Sequence, residues 1–181
     1  MPRPDDPAFS PGEQPRRIGA MAGIGVTLVA VAAAIAFGVS RGDDPGRVAL
    51  EVVSLHDRGS QGAPPSPLPD PGTRDGFGDF AGRARWVPSG ARSDRVEGRE
   101  VLTIFWDRAG RRIAYSAVAG SPVDAPVDSR RTGRRGTLLR SFDVDGRTAV
   151  TWTENGHTAV ISAIGISRAA LYNLAGGRPR R

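Results

Sequence analysis

Leu139-Arg-Ser-Phe-Asp-Val-Asp145-Gly146-Arg-Thr-Ala-Val-Thr-Trp152-Thr-Glu-Asn155-Gly156-His-Thr-Ala-Val-Ile161-Ser-Ala163 carries two hairpin signals within 25 residues. Asp-Gly and Asn-Gly suit two-residue hairpin loops, because both central positions need φ > 0. The two turns fix the strand register. The first sets Trp152 opposite Leu139 and Val150 opposite Ser141. The second sets Trp152 opposite Ala159, Val150 opposite Ile161 and Thr148 opposite Ala163. Side chains alternate along a strand, so these residues share one mostly apolar face of a three-stranded meander. Arg140, Thr151 and Ser162 face the other way. A helix follows: Ser167 serves as N-cap, Ile166 and Leu171 stand at hydrophobic-staple spacing, and Gly176-Gly177 ends it.

Working back along the chain, more strands are expected. Val101 to Asp107 alternates, with Leu102, Ile104 and Trp106 on one face. A turn at Ala109-Gly110 leads to Ile113, Tyr115, Ala117 and Ala119. Arg92 to Val96 reads as a shorter strand closed by Gly98, and Phe77, Phe80 and Trp86 supply aromatic bulk. Residues 120–136 read as a loop that holds Arg130, Arg131, Arg134 and Arg135. The expected fold class is α+β: an antiparallel sheet of five or six strands with a C-terminal helix packed on one face, spanning 77–177 and followed by a basic tail, 178–181.

Before the domain the composition shifts twice. Residues 18–39 carry no charge, and Thr27 is their only hydroxyl. As a helix they would extend ~33 Å, enough to cross a hydrocarbon core of about 30 Å. Arg16, Arg17 and Arg41 flank them as headgroup anchors. The stretch predicts a single transmembrane helix acting as a signal anchor. Residues 1–17 hold five prolines and balanced charges, a composition that predicts a disordered tail, assigned to the cytoplasm from the arginine bias. The C-terminal domain is then extracytoplasmic, in a single-pass protein of the cell membrane.

Residues 40–76 are expected to be a juxtamembrane segment and spacer. Within them, 46–58 read as a short helix, with Val48, Val52 and Leu55 at helical spacing, although the β-branched content leaves a strand open. Residues 59–74 read as a Pro-rich linker with a reach of roughly 45 Å. His56 reads as a solvated surface residue and His157 as a polar residue flanking a turn.

All 25 basic residues are Arg, and the formal net charge is +6. With few aromatics and no basic stripe between them, this does not point to nucleic acid. The absence of Cys removes disulfides, thiolate chemistry and Cys-based metal sites. No nucleophile motif, phosphate loop or calcium loop is present, so no catalytic, cofactor-binding or metal residue is assigned, no cofactor is expected, and the chain does not read as an enzyme. The cluster Arg130, Arg131, Arg134 and Arg135 is the one group with a chemical lean, towards anionic lipid headgroups or acidic envelope polymers.

The run from Gly146 through Trp152 and Gly156 to Ser162, then Ser167 to Ala175, resembles the extracytoplasmic C-terminal domain of membrane-anchored anti-sigma factors. Gly98-Arg-Glu-Val101 with Ile113-Ala-Tyr115-Ser116 is similar to the earlier hairpin of that domain. The resemblance covers about residues 80–176. It implies a single-pass regulator of transcription whose exported domain is a sensor or interaction module, with membrane lipid, a sigma factor or another membrane regulator as partners. The chain departs from that pattern at its start. The seventeen residues before the candidate span are Pro-rich and hold no Cys, so the family's sigma-binding domain, often a zinc-binding one, is expected to be absent, supplied by another chain, or lost to a misassigned start codon, and no binding residue is carried over. The alternative expectation is a membrane-tethered envelope-binding module with no signalling role.

Overall fold

A computed structural model describes residues 44–69 and 85–175. The candidate span 18–39, the tail 1–17, Phe77, Phe80, Gly176-Gly177 and the basic tail 178–181 lie outside the described residues. Among those described, no helix is long and apolar enough to cross a membrane.

The chain opens with α1 (Arg47–Asp57). Seven strands follow: β1 (Val87–Val96), β2 (Arg99–Arg108), β3 (Arg111–Val118), β4 (Arg130–Arg134), β5 (Thr137–Val144), β6 (Arg147–Glu154) and β7 (His157–Ile164). Helix α2 (Arg168–Ala175) closes the fold. The strands form one antiparallel sheet in the order β1-β2-β3-β7-β6-β5-β4. It comprises two meanders, β1–β3 and β4–β7, joined where β7 returns to pair with β3. This is an α+β fold with a C-terminal helix.

Five two-residue turns build the meanders: Glu97-Gly98, Ala109-Gly110, Arg135-Gly136, Asp145-Gly146 and Asn155-Gly156. Both residues of each have positive φ. This conformation gives the chain reversal a twist that matches the strands. The register expected from the last two turns is the register found, with Ser141 paired to Val150, Trp152 to Ala159, Val150 to Ile161 and Thr148 to Ala163.

The sheet is covered on both faces. On one, Ile104, Trp106, Tyr115, Leu139, Val150, Trp152, Ile161 and Leu171 form a buried cluster under α2. Tyr115 and Trp152 meet edge to face, with ring centroids 5.8 Å apart. Ser167 caps α2: its Oγ accepts from Ala170 N–H at 3.3 Å and its carbonyl accepts from Leu171 N–H at 3.1 Å. On the other face, Val96, Val101, Val118, Phe142, Ala149 and Val160 pack against Ala49, Val52, Val53 and Leu55 of α1.

Three expectations change here. The sheet has seven strands rather than five or six. Residues 130–134 are a strand, not part of a loop. Residues 47–57 are helical, and they form a structural layer of the unit that runs from Arg41 onward rather than a spacer. The helical stripe of this segment was visible in the sequence. Its burial depends on the second apolar face of the sheet, which is built from alternate residues of distant strands. The described part of the Pro-rich segment also lies against the fold. Gly62 bridges to Ala91 on the outer edge of β1, and Leu68 packs against the core under α2.

The connection between β3 and β4 must return along the full length of the sheet, because these two strands point the same way. It does so beside α1. Val123 N–H donates to Thr158 Oγ1 at 2.9 Å. Pro126 sits so close to Gly46 that an added Cβ there would lie 2.5 Å from the Pro126 Cα.

Both helix layers are open to test. Leu171→Ala removes a fully buried side chain and is expected to lower stability by about 2–5 kcal/mol. Val52→Asp puts an unpaired charge beneath α1 and is expected to destabilise the domain by at least as much. Urea unfolding followed by Trp fluorescence measures both. A Val52→Asp protein as stable as the parent would remove α1 from the core.

Candidate functional site

Three features of this fold carry polar chemistry: a buried seam beneath α1, a cleft at the end of that seam, and the basic edge at β4.

The seam crosses the sheet face that α1 covers. Arg92 pairs with Thr103, and Thr103 pairs with Ser116, in one row across β1, β2 and β3. Ser162 stands beside this row on β7. His56, in the last turn of α1, drops between the strands and is buried. Its Nδ1 lies 2.6 Å from Ser162 Oγ and its Nε2 2.7 Å from Ser116 Oγ. Ser116 Oγ lies 2.6 Å from Thr103 Oγ1. At the far end, Arg147 Nη1 donates to Ser162 Oγ at 3.3 Å. An Arg can only donate, so Ser162 accepts from Arg147. A neutral imidazole donates from one ring nitrogen and accepts at the other, so one of Ser162 and Ser116 donates to His56 and the other accepts from it.

The surroundings of the ring favour its neutral form. Burial, then the positive charges of Arg147 and Arg92, push the His56 pKa down to about 3. The two arginines are themselves held. Arg92 is buried and donates to the carbonyls of Leu55 (3.3 Å) and Gly59 (2.9 Å), satisfying the C-terminal end of α1. It also forks onto the Asp94 carboxylate at 2.6 and 2.8 Å. Arg147 reaches Asp57 at 2.6 Å. α1 is thus fastened at its C-terminal turn by four side chains from the sheet, Arg92, Ser116, Ser162 and Arg147. The expectation that His56 is solvated is corrected: its ring lies on the buried stripe of α1. His157 flanks the Asn155-Gly156 turn, at the start of β7, and is buried.

A cleft of about 350 Å³ opens where the seam ends, lined by His56, Phe105, Arg112, Ala114, Arg147 and Ile164 among others. Of the three arginines that line it, Arg147 is matched by Asp57 and Arg112 by Asp107. Hydrogen bonds from Arg112 hold the Asp107 carboxyl below its ordinary range. Both ring nitrogens of His56 are engaged with buried hydroxyls. The geometry is that of a packed hydrogen-bonded seam, not of a nucleophile presented to a substrate. Among the described residues, no group of three or more His, Asp or Glu is placed to hold a metal ion.

The arginines singled out from the sequence are split by the strand they occupy. Arg130 pairs with Ser141, and Arg134 with Thr137, so both lie on the face that α2 covers. Arg131 pairs with Arg140 on the opposite face. Arg135 occupies the turn. They form a rim along one sheet edge rather than a single patch. On the α2 face, Thr148 donates to Asp143 at 2.8 Å, and Arg168 forms an ion pair with the same carboxylate. With Arg130 nearby, these contacts keep Asp143 below its ordinary range.

No family model, curated protein or solved structure matches this chain. The sequence places Ser162 on the face away from Trp152 but assigns no role to Arg92, Thr103, Ser116 or Arg147. Small hydroxyl residues in mid-strand, at Thr103, Ser116 and Ser162, were the available signal, since each interrupts an otherwise apolar position.

The seam gives stability a defined pH dependence. The folded His56 pKa lies below the unfolded value near 6.5, so its contribution is complete above pH 6.5 and is lost as pH falls towards about 3. Asp107 and Asp143 act only lower, as pH falls below the ordinary carboxylate value. His56→Gln is expected to cost about 1–3 kcal/mol at pH 7 and to flatten the decline between pH 6.5 and 4.5. Denaturant unfolding at a series of pH values reads both effects. A parent protein equally stable at pH 7 and 4.5 would contradict the seam.

Proposed function

We propose that the chain is a single-pass membrane regulatory protein of the anti-sigma-factor type, with residues 18–39 as the span and the α+β domain as an exported sensor or interaction module. What carries the reading is the junction between the two. Only residues 40–46 separate the apolar stretch from α1, and α1 is fastened to the sheet by Arg92, His56 and Arg147. A change at the sheet would therefore reach the membrane side through a held helix and a short tether, not through a long flexible spacer. The resemblance of residues 80–176 to anti-sigma exported domains supports the same reading. The second reading, a tethered envelope-binding module without signalling, is favoured by the exposed arginines of β4.

Full-length tagged protein expressed in its own host tests the proposal. It should remain in the membrane fraction after alkaline carbonate washing, and the domain should be cleaved by protease added outside spheroplasts. Mild detergent extracts should co-purify a sigma factor or a membrane regulator. Release by carbonate would overturn the anchor. A firmly inserted protein that retains neither partner would favour the envelope-binding reading.

A further inference from the structure

The outer edge of β4 is one edge of the sheet. β4 ends the sheet, and among the described residues no strand pairs with its outer side. An open edge presents backbone donors and acceptors to any extended chain, and charged side chains decide which chains are admitted. Four observations narrow the choice.

First, Arg130 and Arg134 line one face of the edge and Arg131 the other, so a paired strand meets positive charge on both faces. Second, Arg131 stands directly across from Arg140. Like charges at such a cross-strand position are unfavourable, and a carboxylate placed opposite Arg131 would relieve this pair. Third, Gly133 pairs with Leu138, which is 56 % exposed. A Cβ added at Gly133 meets nothing within 4 Å, so an apolar side chain opposite Gly133 can lie across it onto Leu138. Fourth, a second copy of this chain is disfavoured, since edge-to-edge pairing would set arginines against arginines.

We propose that β4 is the docking edge for an extended acidic segment of a partner protein, bound as an eighth, antiparallel strand. The register defines the motif. Reading along the incoming strand, an acidic residue faces Arg134, an apolar one Gly133, any residue Thr132, and two acidic residues Arg131 and Arg130. Glu-Leu-Thr-Glu-Glu satisfies this pattern. The inference rests on the sheet alone and holds whether or not the chain is tethered to a membrane or acts on a sigma factor.

The test uses full-length protein in a neutral detergent and a fluorescent peptide with Glu-Leu-Thr-Glu-Glu at its centre, read by anisotropy. Arg130→Glu, Arg131→Glu and Arg134→Glu together should weaken binding by at least about tenfold, because three cross-strand charge pairs become repulsive. The same variant should gain affinity for a peptide with Lys at the three acidic positions, which also shows that it is folded. Replacing the central Thr and the following Glu of the peptide by Pro should abolish binding at nearly unchanged length, since Pro cannot donate to the ladder. Unchanged affinity after charge reversal would overturn the proposal. So would equal binding of the Pro-interrupted peptide and a non-interrupted peptide of the same charge. Retention on vesicles of anionic lipid, with no peptide binding at low salt, would assign the arginines to a lipid surface instead.

Discussion

His56 between Ser116 and Ser162 is the contact on which the arrangement of the domain depends. The sheet has two apolar faces, and each needs a cover. Apolar contact alone would let a short helix settle on such a face in several positions. A buried imidazole with two hydroxyl partners, at 2.6 and 2.7 Å, is satisfied in one position only. Arg92 and Arg147 add to the same constraint from opposite sides, one at the carbonyls ending α1 and one at Asp57. The apolar residues Ala49, Val52, Val53 and Leu55 supply the burial, and the seam supplies the register.

Covering this face unevenly has a consequence for function. α1 lies towards β7 and the β1 side, and the β3–β4 connection runs beside it. At the other end of the sheet, Arg131, Arg140 and Leu138 keep partial or full exposure. The same fold that buries His56 therefore leaves a charged, open strand edge away from α1. The proposed role as an interaction module draws on that division, one end of the sheet fastened to α1 and the other an open strand edge. The cleft beside His56 is less suited to recognition, because two of its three arginines are already matched by Asp57 and Asp107.

The last meander was legible in the sequence because its information is local. Asp145-Gly146 and Asn155-Gly156 dictate turn geometry, and alternation then dictates faces. The cap at Ser167 is local in the same way. β4 was not legible: Arg135 is a poor guide to a turn, and Arg-Arg-Thr-Gly-Arg has little strand propensity, so its pairing follows from Gly136 and from the neighbouring β5. The role of α1 was half legible. Its helical stripe was present, but the surface that buries it is assembled from Val101, Val118, Phe142 and Val160, which no local pattern joins. His56 was misread for the same reason, since its partners lie 60 and 106 residues away. The arginine cluster was compact in sequence and is divided in space, because a strand sends neighbours to opposite faces.

Hydrogen–deuterium exchange on the full-length protein addresses the central claim most directly. If α1 is held by the seam as a layer of the domain, the amides of residues 51–57 should exchange as slowly as those of β3 and β7, and all should open together. In His56→Gln, α1 should lose protection before the sheet does. Exchange of α1 in the parent protein at the rate of an unprotected chain, with β3 and β7 still protected, would contradict the account.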